Sequence, residues 1–264
     1  EYNGIQWLIG ARKRGQVAYL RSDGSNLGWL NNVRITEDDS LHNVVENVNL
    51  VKSMFGLDEA PLHPLQFPLN NDDNGFADAF IKNHLKGGVT RIGFHPGCAT
   101  FKNHINRRWE PEKFAALGKI LKEKHGFELM LFGGPEEKNL RENIMAIAGE
   151  GVFHEPASKS LSQSAALIKR CDLFITNDSS LMHVSSAMGV KVLALIGPTN
   201  TAYIHPWMTE HKIVSLELEC APCFFYSPKP LECSRADVKY KCIKELSVER
   251  VYTEAIKMLD RQKM

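Results

Sequence analysis

The 264-residue sequence lacks several features that would place it in special classes of protein. No uninterrupted apolar run approaches the roughly 20 residues that a membrane-spanning helix needs. No charge of one sign dominates, since the net charge is +1, and we therefore expect no nucleic-acid partner. Internal repeats and low-complexity tracts are absent, and the first residues do not read as a signal peptide. We expect an ordinary cytosolic globular protein.

Four of the six cysteines crowd into one loop-like stretch, with a CxxC pair followed by two wider intervals. They are Cys220, Cys223, Cys233 and Cys242. In a cytosolic protein this group is either a zinc site or a set of reduced thiols, and in a secreted protein it would form two disulfides. The spacing is looser than that of a zinc ribbon, so both cytosolic alternatives stay open.

From residue 89 onward, short apolar runs alternate with helical patterns. Strands are predicted at residues 89–94, 127–134, 152–156, 172–176 and 191–197, with helices between them and a last helix at 248–260. This alternation predicts an α/β fold with a parallel sheet and crossover helices. The first 75 residues are less regular: a strand is predicted at 17–20, a helix at 41–56 and a proline-rich linker at 57–75.

Four unusual loops each follow a predicted strand: HPGCAT (95–100), FGGPEE (132–137), TNDSS (176–180) and IGPTN (196–200). Ligands of open parallel sheets bind at the carboxyl ends of the strands, where all four loops should meet. We therefore expect a ligand pocket along this edge.

The TNDSS loop opens a helix, whose unpaired N–H groups and positive dipole end suit a phosphate. Ser179 and Ser180 are predicted to hold phosphate oxygens and Asp178 to take sugar hydroxyls. His183 lies one turn further along the same helix face. The alternative is an ordinary helix cap with a structural histidine.

The other loops carry further candidates. Gly197 would let a ligand approach, and Thr199 would offer a hydroxyl; a tight turn explains the same residues. Gly133 precedes Glu136 and Glu137, one of which would bind a ribose unless both only favour a helix start.

The basic residues beyond the HPG loop, Lys102, Arg107 and Arg108, would neutralise a diphosphate unless they form a solvated surface. A second basic cluster near the start includes Arg12 and Arg14. It would contact an acidic acceptor or an anionic membrane face, or simply be surface.

With these motifs placed, the chain resembles the lipopolysaccharide heptosyltransferases of glycosyltransferase family 9. The resemblance rests on HPG at 95–97, RRWEPEKFAAL at 107–117, FGGPEE, the segment TNDSSLMHVSSAMGVKVLALIGPT, and CAPC with its trailing cysteines. These motifs span nearly all of residues 89–259, and GARKRG at 10–15 resembles part of the family's first domain.

The resemblance implies a GT-B architecture, in which two Rossmann-like domains face a cleft. We expect a partial acceptor-side domain at residues 1–86, a donor-binding domain at 87–246 and a terminal helix at 247–264. The family's general base is expected in a segment preceding this chain, so the N-terminal domain should be incomplete and no catalytic residue is assigned.

The implied reaction is inverting transfer of heptose from ADP-heptose to a Kdo- or heptose-bearing lipid A core, with no metal required. It would take place at the cytosolic face of the inner membrane, with peripheral membrane contact. Donor binding is assigned to Asp178, Ser179, Ser180, His183, Thr199, Gly197, Glu136, Glu137, Gly133, Thr100, Lys102, Arg107 and Arg108. Acceptor binding is assigned to Arg12 and Arg14.

Two other functions stay open on the sequence. The chain would bind a nucleotide-sugar without turnover if the base is absent. Alternatively, it belongs to a related GT-B enzyme that uses UDP-sugars, such as another transferase or a nucleotide-sugar epimerase.

Overall fold

A computed structural model describes residues 2–21, 27–225 and 229–260 of the chain. Its contacts divide the protein into two compact units. The first takes in the chain up to His63 together with Thr199–His205 and Pro222–Pro230. The second takes in Pro64–Pro198, Pro206–Ala221 and the chain from Leu231 onward.

Helices and strands alternate along most of the described residues. The strands are β1 (Gly15–Ala18), β2 (Val33–Thr36), β3 (Arg91–His95), β4 (Glu128–Leu131), β5 (Leu173–Asn177), β6 (Val192–Leu195) and β7 (His211–Val214). The helices are α1 (Tyr2–Leu8), α2 (Asn43–Phe55), α3 (Asn71–His84), α4 (Pro111–His125), α5 (Lys138–Ala148), α6 (Leu161–Ile168), α7 (Ser180–Ala187), α8 (Thr201–Ile204), α9 (Lys241–Lys244) and α10 (Val248–Asp260).

The first unit contains a two-stranded parallel pair, β1 and β2, with Gly15 opposite Val33. Helix α2 packs against both strands. It ends at Gly56, whose left-handed backbone (φ 65°) is readily adopted by glycine. The predicted helix at 41–56 is therefore confirmed.

The second unit is built on a five-stranded parallel sheet in the order β4-β3-β5-β6-β7. Every residue of β4, β5 and β6 is buried, which explains why these strands read as continuous apolar runs. The register places Phe94 beside Ile175 and Ile175 beside Leu193. The predicted α/β class with a parallel sheet is confirmed.

Helix α4 covers one face of this sheet and shows both predicted end signals. Pro111 occupies its first turn, and it ends at Gly126 in the left-handed region. It packs against α5 and α10, and its Phe114 contacts Phe94 and Trp109 edge to face in the core. These contacts fix the start of α4, and hence the segment just before it, against the sheet.

Several elements differ from the sequence prediction. Helix α3 begins inside the predicted linker, because Asn70 and Asp73 form a reciprocal capping box there. The predicted strand at 152–156 reduces to an isolated bridge between Met130 and His154. Strands β2 and β7, both short, were not predicted.

The contact-based division also differs from the predicted domain limits. Helix α3 packs on α6, so it groups with the second unit although it precedes residue 86. Helix α10 packs on α4, β7 and β5 of the same unit rather than forming a separate segment. Within the described residues, no helix combines the length and apolarity needed to cross a membrane.

Candidate functional site

The loops that follow β3, β4 and β5 are joined through side chains at the carboxyl edge of the second unit's sheet. Asn177, the last residue of β5, is fully buried. Its amide nitrogen donates to the Pro96 carbonyl at 2.7 Å, and its amide oxygen accepts from the Trp109 backbone N–H at 3.0 Å. One side chain thus ties the loop after β5 to both ends of the loop after β3.

Arg107 and Asp178 form an ion pair beside this amide, with each side chain 3% exposed. The Arg107 guanidinium also lies 3.4 Å from the His104 ring. Burial and the Arg107 charge lower the pKa of His104. Asp178, which the sequence assigns to sugar hydroxyls, is therefore paired with Arg107, which it assigns to the diphosphate.

A second buried network centres on His95, the last residue of β3. One ring nitrogen, Nδ1, lies 2.9 Å from the Ser179 hydroxyl, and the other, Nε2, lies 3.0 Å from the Glu137 carboxylate. Ser179 also lies 3.1 Å from the Thr176 hydroxyl. The imidazole consequently connects the loops after β4 and β5.

Glu137 has further partners in this network. It accepts from the Gly134 backbone N–H at 3.0 Å and lies 3.6 Å from the Arg108 guanidinium. Burial opposes its ionisation, but the bond and charge of His95, the Gly134 N–H and the Arg108 cation together lower the pKa of Glu137. Glu137 is therefore held as a carboxylate.

Gly97 lets this carboxylate reach His95. A Cβ atom at position 97 would overlap the Glu137 side chain, to which the three nearest atoms belong. At Gly133, a Cβ would meet the Arg141 guanidinium at 2.7 Å and the Glu137 carboxylate at 3.0 Å. The glycine of the HPG motif thus has a structural reason, which is the close approach of Glu137, and Gly133 leaves room for Arg141 as well as Glu137.

Helix α7 starts at this edge, directly after Ser179. The Ser179 side chain makes no capping hydrogen bond to the helix. Among the described residues, no protein acceptor faces the backbone N–H groups of Ser180 and Leu181. Ser180 is exposed and His183 is half-buried on the next turn. The helix thus presents unpaired donors at its positive end.

The segment between Gly97 and Trp109 carries basic side chains. It is partly a 3₁₀ helix (Phe101–Arg107), where the sequence predicts a loop. Lys102 is exposed, has a left-handed backbone (φ 49°) and accepts from the Leu231 N–H through its carbonyl. Arg108 is 16% exposed and donates to the Cys98 carbonyl. Thr100 is exposed at the start of the same segment.

The remaining donor candidates lie in varied surroundings. Glu136 is exposed, and its carboxylate would crowd a Cβ at Gly134. Gly197 is buried, and a Cβ there would come within about 3 Å of Cys242 and Ile243, so close packing on α9 requires this glycine. Thr199 is buried in the first unit, where it forms an isolated bridge with Phe224.

The acceptor candidates lie in the first unit. Arg14 donates to the Leu30 carbonyl at 2.8 Å and to the Ala11 carbonyl, so its guanidinium holds the local chain together. Arg12 is exposed, and its carbonyl accepts from Asn32.

The described part of the cysteine stretch shows no metal site. All six cysteines are described, and no disulfide joins any of them. Within the described residues, no group of three or more His, Cys, Asp or Glu side chains is placed to hold a metal ion. The described residues therefore give no support to the zinc alternative for Cys220, Cys223, Cys233 and Cys242.

Sequence reasoning missed the residues that join the loops, namely His95 and Asn177. Both are polar residues at the end of a buried strand. That position is itself a usable signal, because buried polar groups must find partners.

The sequence matches one family of known proteins. Residues 6–233 match glycosyltransferase family 9 (heptosyltransferase). A lipooligosaccharide heptosyltransferase 2 of Campylobacter jejuni is 34% identical over 182 residues, which is 66% of this chain and 53% of the relative. The lipopolysaccharide heptosyltransferase 2 of Escherichia coli K12 is 27% identical over 220 residues, 77% of this chain and 57% of the relative. The chain thus spans about half the length of the curated relatives it matches.

Solved structures agree in fold. ADP-heptose LPS heptosyltransferase II of E. coli covers 89% of this chain with a TM-score of 0.69 and 21% identity, and 67% of that chain is matched. A family 9 glycosyltransferase of Veillonella parvula covers 87% of this chain with a TM-score of 0.70 and 22% identity, with 63% of that chain matched. The expected GT-B class is confirmed by these matches. The family match over most of the sequence shows that the chain belongs to glycosyltransferase family 9, the heptosyltransferases.

Proposed function

We propose that the protein is a glycosyltransferase that transfers heptose from ADP-heptose to a lipopolysaccharide core acceptor of the Kdo–lipid A or heptose type. The observation that carries the proposal is the start of α7 in a chain of this family, where the N–H groups of Ser180 and Leu181 face no acceptor from the described part of the protein. Such a helix start favours a diphosphate.

The basic residues of the preceding loop would complete the donor site. Lys102 is exposed, and Arg108 retains some exposure beside the buried network. Both would stabilise the negative charge that develops on the departing ADP. Arg107 would act indirectly, because its charge is engaged by Asp178. The remaining candidates are the Ser180 hydroxyl, His183 and Thr199, with Glu136 as the exposed carboxylate for the ribose.

The reaction would be a displacement with inversion. The acceptor hydroxyl oxygen attacks the anomeric carbon of the heptose, and the bond from that carbon to the diphosphate oxygen breaks. The electron pair leaves with ADP, and the hydroxyl proton goes to a base. We assign no base within this chain.

The acceptor is the lipid-bearing partner, so peripheral contact with the cytosolic face of the inner membrane is part of the proposal. Arg12, which is exposed in the first unit, would contribute a cation to an anionic lipid surface or to the acceptor. The Arg14 guanidinium would support this loop rather than bind, because it holds two backbone carbonyls.

Calorimetric titration with ADP and with UDP, in the presence of a chelator, tests the donor assignment. We expect ADP to bind and UDP to bind more weakly. Lys102→Ala should weaken ADP binding, whereas Lys138→Ala, an exposed lysine on α5, serves as the matched control. Preference for UDP would replace the donor with a UDP-sugar, and no binding of either nucleotide would overturn the proposal.

Turnover separates a transferase from a nucleotide-sugar-binding protein. ADP release from ADP-heptose should depend on a Kdo-bearing lipid A acceptor. Tight ADP binding with no acceptor-dependent release would favour the binding protein.

A further inference from the structure

Three helices of the second unit start directly after a serine, and only Ser179 does not cap its helix: Ser247, before α10, accepts from the Arg250 backbone N–H at 3.2 Å. Ser160, at the start of α6, accepts from the Gln163 backbone N–H at 3.2 Å. Ser179, at the start of α7, makes no such bond. Their backbones are nearly the same, with φ/ψ of −146°/161° and −152°/168°. The difference must therefore come from what each side chain contacts.

The Ser179 hydroxyl is held by other groups. His95 Nδ1 lies 2.9 Å from it, and the Thr176 hydroxyl lies 3.1 Å away. The Thr176 hydroxyl, which donates to the Asn177 carbonyl, thus lies on the same side of Ser179 as the imidazole. The Ser179 oxygen is thus drawn towards β3 and the end of β5 instead of towards the first turn of α7.

Glu137 fixes the imidazole in this position. Its carboxylate meets Nε2 at 3.0 Å, so Nε2 carries the proton that is donated to Glu137. The carboxylate is anchored in turn by the Gly134 N–H and admitted by the absence of a side chain at Gly97. The chain Glu137–His95–Ser179 is buried at every member.

We propose that His95 and Glu137 are positioning residues, which hold the Ser179 hydroxyl away from α7 so that the first amides of the helix stay available to a phosphate of the donor. The inference rests on the proposed function. A serine that caps a helix occupies the place in front of the first-turn amides that a phosphate oxygen would take. The network thus leaves a helix start uncapped within the fold.

The inference predicts which of the two bonds of His95 matters for ligand binding. In His95→Asn the amide replaces Nδ1 and can keep Ser179, whereas in His95→Gln it replaces Nε2, keeps Glu137 and releases Ser179. We expect His95→Gln to weaken ADP binding about fivefold, which corresponds to the roughly 1 kcal/mol of a serine cap. His95→Asn should bind ADP more tightly than His95→Gln.

A double variant distinguishes this inference from a simple loss of contacts, because a further loss of contacts would not raise ADP affinity. In His95→Gln/Ser179→Ala no hydroxyl remains to cap α7, so ADP affinity should recover relative to His95→Gln. Adenosine, which has no phosphate, should bind all variants alike. Additive losses of ADP affinity, or equal losses in His95→Asn and His95→Gln, would overturn the inference.

Amide hydrogen exchange tests the same inference without a ligand. Release of the Ser179 hydroxyl in His95→Gln should slow exchange of the Leu181 or Met182 amide, and the added Ser179→Ala change should reverse it. The corresponding amide of α6, Gln163, is the internal control and should not respond. Unchanged exchange at both α7 amides would overturn the inference, whereas absence of ADP binding by the unaltered protein would overturn the proposed function alone.

Discussion

Arg107 and Asp178 neutralise each other in the interior, although the sequence predicts that both bind the donor. Both side chains are 3% exposed. A buried pair of this kind is expensive to break, because the remaining partner is left as an unpaired charge. Its role in the candidate site is to hold the loop after β5 against the loop after β3.

Removal of either partner should therefore lower the stability of the protein. Arg107→Ala is expected to lower the free energy of unfolding by about 3–5 kcal/mol, measured by urea denaturation. Lys138→Ala breaks an exposed pair with Glu142 on α5 and should cost under about 1 kcal/mol. Equal costs for the two variants would contradict the importance assigned to burial.

The two glycines Gly97 and Gly75 should respond oppositely to alanine. Gly97→Ala places a methyl group on the Glu137 carboxylate and should destabilise the protein by about 1–3 kcal/mol. Gly75→Ala, inside α3 with no atom within 4 Å of the new methyl, should stabilise it by up to about 1 kcal/mol. Thermal unfolding of both variants checks the signs.

A double-mutant cycle identifies the source of the Gly97 effect. The three atoms nearest to the added methyl all belong to Glu137, so Gly97→Ala should cost less in a Glu137→Ala background. An undiminished cost would place the strain elsewhere in the loop.

Glu137 should make the stability of the protein depend on pH in acid. Its pKa in the folded protein lies below the ordinary glutamate value of about 4.3, so the folded state favours the ionised form. The stabilisation that Glu137 contributes is fully present at a pH above the ordinary glutamate pKa. It is lost as the pH falls through the lower pKa that Glu137 has in the folded protein. Glu137→Gln should be less stable than the unaltered protein at pH 7, and the difference should shrink towards pH 3. A difference that does not change with pH would contradict this sign.

Lys102 should show a conflict between stability and binding. Its left-handed backbone disfavours a side chain, so Lys102→Gly is expected to stabilise the fold by up to about 1 kcal/mol while it weakens ADP binding. Glu217→Gly relieves a similar conformation (φ 51°) and is the matched control. It should stabilise the fold with ADP affinity unchanged. Retained ADP affinity in Lys102→Gly would remove this lysine from the proposed donor site.

The sequence was sufficient for the parts of the fold that periodicity and end signals govern. The buried strands β4, β5 and β6 were predicted because they are continuous apolar runs, and α4 because Pro111 and Gly126 mark its ends. Strand β7 was missed because two of its four residues are exposed, which gives no apolar run. The start of α3 was missed because its cap, Asn70, lies in a segment that reads as a linker.

The sequence located the loops of the candidate site but could not assign their internal contacts. It named Asp178, Ser179, Arg107 and Glu137 as separate ligand candidates. In the structure Asp178 pairs with Arg107, and His95 connects Ser179 to Glu137. Such pairings join residues 42 to 84 positions apart, and no local pattern encodes which polar side chain meets which. The donor roles themselves stay predictions.

The two edges of the five-stranded sheet are protected in different ways, which bears on how the protein behaves at high concentration. At β4, the bridge between Met130 and His154 occupies part of the open backbone edge. At β7, His211 and Lys212 are exposed along the edge, so a second molecule that paired there would bring like charges together. The lysine therefore discourages aggregation through strand pairing, a role that neither the ligand chemistry nor the stability of the core requires of it.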